Sequence, residues 1–486
     1  MIKKIAANKH VKNVSWNVAE AVLYPAALLV ATPIYLSALG DELYGLWTLM
    51  TSIIVSIGVV NGGLADTTIK YISKYRALQD HATAQRIFRT TLTWTLLIAL
   101  AILCLSPVLS YGIVTFDLFE IPNSLTQSTI LYLNISFITL AFKLIEQIFY
   151  AYYKAYERFD VFSKASIAVK VGTIVLNVLL LLAGYGLLAV LLSTLVLSFL
   201  LLILVILKTG HETGFKQLMP LFDKNITAEL QQFTKWSWLQ TVIGVANSQM
   251  DKFLVASLVS LEMLAYYSIG LMVVNQIHMV LTTAASTVFP LISRMEAKNE
   301  TTDTLFLSLQ KLVTVAGMLI ILHLHLVKEF VFTAWLGPEI FQRSSGLLFY
   351  FFAYLMVAST SVMPNFYLLG SGKIKENALS LGFNALVTVA AMLALFAVLG
   401  VEGLVIGKAL ALFLTITLVF LYLKKTSMPH LSAFSLFQTL LLCLAGIAVL
   451  AVDQTWLTVA IILYLYYLVV ELVRKNSFAK KLFARS

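Results

Sequence analysis

Seven ionisable residues interrupt the apolar segments of this sequence, and they are the side chains best suited to chemistry. They are Glu20, Lys143, Glu146, Lys170, Asp251, Lys252 and Lys408. A charge inside an apolar segment is costly in lipid, so each is a candidate functional residue. The four lysines could bind phosphate or another anionic group, because an ammonium is a compact, strongly hydrated cation. The three carboxylates could bind a proton or a cation.

The alternative role for these charges is to form structural ion pairs. The charges of four lysines and three carboxylates nearly cancel, so they could neutralise one another and leave little net charge to bind a ligand. The opposite charges that lie at similar depths are Lys143 with Glu146, Glu20 with Lys170, and Lys252 with Asp251. Lys408 lies near a helix end and could instead extend its ammonium to the membrane interface.

Asparagines within the apolar segments form a second candidate set. Asn17, Asn61, Asn247 and Asn275 could line a wet cavity and bind sugar hydroxyls. The alternative is hydrogen bonding between helices, worth about 0.6 kcal/mol on average. No phosphate-binding loop, nucleophile elbow, metal-ligand spacing or paired catalytic carboxylate is present. The sequence therefore predicts a protein that is not an enzyme and that needs no cofactor or metal.

Composition shows what must position these residues. Of 486 residues 60% are hydrophobic, and the mean hydropathy is +0.89. Only 12% are charged, whereas soluble domains carry about 25%. These values exclude a cytosolic enzyme, a disordered scaffold and, despite the net charge of +10, a nucleic-acid binder. The chain is predicted to be an all-α integral membrane protein.

Fourteen segments are long and apolar enough to cross a bilayer, which takes about 20 residues. They are 14–38, 45–65, 90–113, 128–150, 165–185, 187–208, 236–260, 265–290, 309–327, 346–368, 378–400, 402–423, 433–452 and 456–473. Most of the lysines and arginines fall in the termini and in the loops that follow even-numbered segments. This positive-inside bias predicts cytoplasmic termini in a multi-pass protein, with membrane lipids as a partner.

The two halves of the chain echo each other at an offset of roughly 215–222 residues. The segment 38–50 resembles 260–273, residues 70–75 resemble 290–295, and 153–190 resembles 367–407. An offset of six helices predicts a parallel repeat of two six-helix lobes. The predicted parts are a lobe at 1–208, a cytoplasmic linker at 209–235, a second lobe at 236–425, and two extra helices with a tail at 426–486.

An ordered set of short motifs resembles one transporter superfamily. The motifs are Leu39-Gly40, Tyr44-Gly45-Leu46-Trp47, Asn61-Gly62-Gly63-Leu64, Lys70-Tyr71-Ile72, Asp251, Tyr266, Pro290-Leu291-Ile292-Ser293-Arg294 and Gly370-Ser371-Gly372-Lys373. Together they resemble the multidrug/oligosaccharidyl-lipid/polysaccharide exporter superfamily, and within it the polysaccharide repeat-unit (O-antigen) flippases.

The resemblance implies a function as well as a fold. It implies two lobes around a cavity that opens alternately to each side of the bacterial cytoplasmic (inner) membrane. It implies transfer of an undecaprenyl-diphosphate-linked oligosaccharide to the outer leaflet, for O-antigen, lipopolysaccharide or capsule, beside polysaccharide polymerase and chain-length machinery. One alternative is a multidrug or cation antiporter, which Glu20 keeps open. The other is a membrane glycan polymerase or transferase, which the short, arginine-poor outer loops disfavour.

Overall fold

The computed structural model describes the backbone of residues 2–475, apart from 287, 299–301, 429–432 and 453. The side chains of 2–22, 159–163, 165, 289–290, 297, 433–436, 473 and 475 lie outside the described part. The side chains of three residues named above, Asn17, Glu20 and Pro290, therefore lie outside the described part.

The described residues form helices joined by short connections, with no strand among them. The first seven helices are α1 (Ile2–Gly58), α2 (Leu64–Ala77), α3 (His81–Thr115), α4 (Thr126–Ala155), α5 (Phe159–Leu182), α6 (Leu187–Thr213) and α7 (Lys224–Leu258). The others are α8 (Leu261–Ala285), α9 (Val288–Ala297), α10 (Asp303–Leu326), α11 (Lys328–Leu336), α12 (Pro338–Gly370), α13 (Ile374–Leu399), α14 (Val401–Thr426), α15 (Ala433–Val452) and α16 (Thr455–Lys475). The all-α prediction is confirmed.

The helices agree with the predicted membrane segments. Within the described residues, ten helical stretches are long and apolar enough to cross a membrane, and two shorter apolar stretches lie in α5 and α15. One of the ten, Leu23–Ala77, holds most of the first predicted segment and all of the second, with a kink at Gly40 (φ 76°, ψ 169°) between them. All of the other predicted segments except 236–260 also coincide with these stretches. The chain is a multi-pass membrane protein.

Helix α7, which holds the predicted segment 236–260, is the polar exception. It is 35 residues long, enough to cross a bilayer, yet it contains no stretch as apolar as those of the other long helices. Asn247, Gln249, Asp251 and Lys252 lie within its last four turns. A helix that carries this many polar groups at membrane depth is typical of a cavity wall rather than a lipid-facing surface.

The chain divides into two compact units, residues 1–265 and 266–486. In the first unit α1 packs on α5, α7 and α4, and α3 packs on α4 and α2. An aromatic core lies where α3 meets α4: the ring of Phe88 is 4.9 Å from that of Tyr152 and 5.6 Å from that of Phe149. Within the predicted linker 209–235, residues 224–235 are the first turns of α7; the predicted lobe boundaries stay a prediction.

The N-terminal end of α7 is tied to α3 and α2 by charged groups. Asp223 caps α7 by accepting from the backbone N–H of Asn225 (3.0 Å) and Ile226 (3.2 Å), and it forms an ion pair with Arg86 of α3. One turn further on, Glu229 accepts from the hydroxyl of Tyr75 at 2.8 Å and pairs with Lys74 at 3.2 Å, both on α2. We call these contacts the α7 junction.

Two glycine sites let helices of the first unit approach backbone to backbone. A Cβ on Gly45 would lie 1.8 Å from the carbonyl oxygen of Leu261, the first residue of α8. Gly63, in the left-handed region at φ 88°, would place a Cβ 2.8 Å from the carbonyl oxygen of Thr234 on α7. Both glycines belong to the motifs that carry the family resemblance, so close helix contact is the physical reason for these residue types.

In the second unit α12 is central and packs on α14, α10 and α15. Its aromatic core joins α10, α12 and α14 through the buried rings of Phe306, Tyr367 and Phe420. The α13–α14 hairpin turns at Gly400 (φ 65°), and a Cβ on Gly403 would lie 2.2 Å from the carbonyl oxygen of Leu395.

One turn recurs at the predicted repeat offset. After α4, Glu157 adopts φ 57° and the N–H of Arg158 donates to the carbonyl of Tyr153 at 2.9 Å. After α12, Gly372 adopts φ 76° and the N–H of Lys373 donates to the carbonyl of Leu368 at 2.8 Å. The two left-handed residues are 215 positions apart (372 − 157), and a long helix follows each directly. The same turn also follows α2 at Gln79 and α5 at Gly184, so it is a common helix ending, and the internal repeat stays a prediction.

Replacement of Gly45 by alanine is expected to destabilise the protein, because the new methyl group would overlap the Leu261 carbonyl. Overpacking of this kind costs about 1–3 kcal/mol. The matched control is Gly172→Ala in α5, where a Cβ would meet no atom within 4 Å. Thermal unfolding in detergent should show a lower Tm for the first variant and an unchanged or raised Tm for the second. Equal Tm values would contradict the close approach.

Replacement of Asp223 by alanine is expected to loosen the first turns of α7. The hydrogen bond from Ile226, and then the Arg86 guanidinium, hold the pKa of this carboxyl below its usual range. The cap and ion pair are therefore present near neutral pH and are lost only as the pH falls through that lowered pKa.

Hydrogen exchange measures this loosening. Amides 225–230 should exchange several-fold faster in Asp223→Ala. The control is Asp80→Ala, because Asp80 caps α3 by accepting from the N–H of Thr83 at 2.9 Å; it should loosen the start of α3 alone. If the amides of 225–230 exchange equally slowly in Asp223→Ala and in the unmodified protein, the α7 junction does not stabilise the N-terminal end of α7.

Candidate functional site

The first unit brings several predicted site residues together where α4 passes α5 and the α1–α2 connection. Asn61, in that connection, is fully buried. Its side-chain oxygen accepts from Thr95 of α3 at 3.0 Å, and its amide nitrogen lies 3.5 Å from the side-chain oxygen of Gln147 on α4. These bonds fix Asn61 between three elements.

Lys143 lies one turn before Gln147 on α4, and Glu146 directly precedes it. Glu146 is buried, and its Oε1 has no hydrogen-bond partner among the described residues. Lys143 interacts electrostatically with Glu146 and also with Lys170 of α5. In the described structure no direct ion pair joins Lys143 to Glu146, so the predicted alternative of a simple structural pair is not formed. The ammonium of Lys143 thus lies near both the buried carboxyl of Glu146 and the ammonium of Lys170.

Lys170 extends towards α1. Its Nζ lies 5.7 Å from the ring centroid of Tyr24, and its side chain is exposed. Glu20 precedes Tyr24 by four residues on α1, but its side chain lies outside the described residues, as does that of Asn17. Of the charges predicted to lie at similar depths in the first part of the chain, the structure therefore describes Lys143, Glu146 and Lys170. We call Asn61, Lys143, Glu146, Gln147 and Lys170 the α4–α5 cluster.

The remaining site residues of the first unit lie on α7. Asp251 is buried, with 1% of its surface exposed, and its Oδ1 accepts from the backbone N–H of Lys252 at 2.9 Å. The ammonium of Lys252 donates to the side-chain oxygen of Gln249 at 3.2 Å. The amide of Asn247 donates to the carbonyl of Ile243 in its own helix at 3.1 Å. These contacts orient the polar groups of α7.

Two of the predicted site residues, Asn275 and Lys408, belong to the second unit. Asn275 is exposed on α8. Lys408 of α14 is 8% exposed, and its Nζ lies 5.4 Å from the ring centroid of Tyr354 on α12. The buried lysine packs against an aromatic face inside the unit, so its side chain does not extend to the interface as the alternative supposed.

The structure also adds two residues that sequence reasoning missed. Thr95 and Gln147 hold Asn61 in place, although neither carries a charge that would have marked it. The available signal was spacing, because Gln147 follows Lys143 by one helical turn and therefore shares its face. Among the described residues, no group of three metal-ligating side chains comes together. The cluster offers ammonium, amide and carboxyl groups, which suit binding of an anionic, hydroxyl-rich molecule.

Known structures share this fold. A multidrug resistance transporter of the MATE family, in the MOP superfamily, matches 84% of this chain and 99% of its own at 14% identity, with a TM-score of 0.70. The lipid II flippase MurJ matches 94% of this chain and 97% of its own at 13% identity, with a TM-score of 0.71. A MATE transporter from Vibrio cholerae matches 87% of this chain and 98% of its own at 15% identity, with a TM-score of 0.59.

Sequence comparison is more specific about the family. No curated protein sequence matches the chain significantly. The sequence profile described as "Polysaccharide biosynthesis protein" matches residues 39–340, which are most of the chain. This match includes the α4–α5 cluster and all of α7. The chain belongs to this polysaccharide biosynthesis protein family and has the fold of MOP-superfamily transporters.

Proposed function

We propose that the protein is a flippase for a lipid-linked oligosaccharide, and that its substrate is an undecaprenyl-diphosphate-linked repeat unit. The observation that carries the proposal is the α4–α5 cluster, which places Lys143 and Lys170 beside hydrogen-bonding amides in helices of a polysaccharide biosynthesis protein. The likeness of the fold to a lipid II flippase supports the same substrate class.

In this proposal the side chains divide the substrate between them. The ammonium groups of Lys143 and Lys170 bind the diphosphate, because charge-assisted hydrogen bonds are stronger than neutral ones. Asn61 and Gln147, with Asn247 and Asn275, bind sugar hydroxyls, and Lys252 extends the basic surface. Asn17 and Lys408 remain part of the proposed substrate-binding set.

The carboxylates are proposed to serve ion coupling. Glu146 is the favoured residue, because it is buried and its Oε1 lacks a hydrogen-bond partner among the described residues. An oxygen that no neighbouring side chain occupies is available to a proton or a cation. Glu20 and Asp251 are the other candidates.

Transport is proposed to proceed by alternating access, with the two six-helix lobes rocking about the site. The proposed location is the bacterial inner membrane with both termini in the cytoplasm, which follows from the distribution of basic residues. Surface polysaccharide, either O-antigen or capsule, is the proposed product, and the polymerase and chain-length machinery are the proposed partners.

A multidrug or cation antiporter is the second candidate, since MATE transporters share the fold. That function needs one exposed acidic site for an organic cation. The described residues of the α4–α5 cluster carry two lysines against one carboxylate, which favours an anion. A membrane glycan polymerase or transferase is disfavoured, because the family and the similar structures are transporters and flippases.

Deletion of the gene is expected to trap undecaprenyl-linked oligosaccharide on the inner leaflet and to remove surface polysaccharide. The measurement is the accessibility of the lipid-linked sugar to a membrane-impermeant probe in intact cells. The strain should contain no second member of the family, and a plasmid copy should restore export. Normal surface polysaccharide in that strain would overturn the flippase proposal.

Single replacement of Lys143, Lys170 or Lys252 by alanine is expected to reduce export about tenfold, because each change removes one charge-assisted contact. Lys143→Arg should retain part of the activity, since it keeps the charge. The control is Lys375→Ala on the exposed first turn of α13. Complementation at matched expression measures the effect. Full export by all three alanine variants would leave these lysines with a structural role at most.

A further inference from the structure

The first unit contains a cavity that the proposed transport site does not use. It has a volume of about 350 Å³ and lies between α3 and α7, and the connection between α1 and α2 also lines it. Gly62 and Leu230 are buried in it, whereas Val60 and Trp238 are exposed at its rim. The volume is within the range of small-molecule sites, about 300–1,000 Å³.

The cavity is separate from the α4–α5 cluster. Asn61 lies between the lining residues Val60 and Gly62, but its side chain bonds Thr95 and Gln147 and is not part of the cavity wall. At one end the indole N–H of Trp94 donates to the hydroxyl of Thr227 at 3.3 Å, which joins α3 to α7.

The wall of the cavity is suited to hydrocarbon. Ile98, Leu64 and Leu230 contribute apolar surface. The two threonine hydroxyls deepest in the wall are already satisfied: Thr91 donates to the carbonyl of Ile87 at 3.1 Å, and Thr234 to that of Leu230 at 2.9 Å. A glycan buried here would lose hydrogen bonds to water that this wall does not replace. The buried part of a ligand is therefore an apolar chain.

The rim supplies one positive charge. Lys235 lines the cavity, is exposed, and forms no hydrogen bond or ion pair with any described residue. Gln231 lies one turn before it on the same face of α7. The indole of Trp238 lies three residues after it, and tryptophan is typical of the level of the lipid headgroups.

An apolar cavity with a single cation at its mouth matches an amphiphile with one negative charge. We propose that this cavity is an accessory lipid site, which takes an acyl chain of an anionic phospholipid and holds its phosphodiester against Lys235. A diphosphate-linked substrate carries more negative charge than one lysine would neutralise, so the phospholipid is the better match. The site does not depend on what the protein transports.

Native mass spectrometry of the delipidated full-length protein tests the proposal. The probes are dioleoyl-phosphatidylglycerol, dioleoyl-phosphatidylethanolamine and undecaprenyl phosphate, each titrated separately and in competition. We expect one tightly bound phosphatidylglycerol, with weaker binding of the other two. Lys235→Ala should weaken that binding about tenfold, the effect of losing one charge-assisted contact. The control is Lys224→Ala, which removes the same charge from an exposed position outside the cavity.

A second variant tests the cavity itself. Ile98→Trp should fill the space and abolish the tight phosphatidylglycerol site while the Tm stays unchanged. If this variant does not fold, the test uses phosphatidylglycerol with brominated acyl chains, which quench the fluorescence of nearby tryptophans. At a low mole fraction of this lipid, quenching of the protein's fluorescence should fall in Trp238→Phe, which removes a tryptophan of the cavity. It should persist in Trp236→Phe, which removes a tryptophan outside the cavity.

Three outcomes would overturn the proposal. Equal weakening by Lys235→Ala and Lys224→Ala would indicate general attraction of anions to the surface. Equal binding of the two phospholipids would exclude a role for the negative charge. Preferential binding of undecaprenyl phosphate, lost in Lys235→Ala, would assign the cavity to the prenyl chain of a substrate.

Discussion

Every peptide group inside a bilayer must find its hydrogen-bond partner within its own helix, and this requirement governs the whole molecule. It also governs the hydroxyl side chains. The hydroxyls of Thr139 and Thr173 each donate to the carbonyl four residues earlier in the same helix, at 2.9 and 2.7 Å. A hydroxyl that is satisfied locally adds little to ligand binding. That task falls mainly to amides and charges.

The amides and charges are accordingly concentrated in a few places. Asn61 joins three elements through its two side-chain bonds, and α7 carries a run of polar groups that its apolar neighbours lack. At its N-terminal end α7 depends on charged contacts with α2 and α3, and at Gly63 it depends on close packing. Between these contacts lie neutral and charge-assisted hydrogen bonds to α2, from the hydroxyl of Ser237 to the carboxylate of Asp66 and between the hydroxyls of Thr67 and Thr234, both at 2.9 Å. One helix thus combines three kinds of contact, and each responds differently to salt, pH and substitution.

The fold was largely predictable from sequence because apolar length alone identifies a membrane helix. Each of the fourteen predicted segments overlaps an observed helix, although several run past its end, and the segment 45–65 crosses the break between α1 and α2. The site was less predictable, because its contacts join residues far apart in the chain. The 86 positions between Asn61 and Gln147 carry no signal of their hydrogen bond. The proximity of Lys143 to Glu146 was evident from spacing, but the absence of a direct bond between them depends on rotamers that spacing does not specify.

The left-handed turns at Glu157 and Gly372 show that one backbone path accepts two different residues. Glycine adopts this conformation freely, whereas a glutamate there is strained by about 1–2 kcal/mol. The hydrogen bond that closes the turn and the packing of α4 and α5 on either side therefore hold the backbone at position 157 against the preference of its side chain. Strain of this size is small beside the contacts of two long helices, so the path of the chain between α4 and α5 is set by helix packing and not by the residue at the turn.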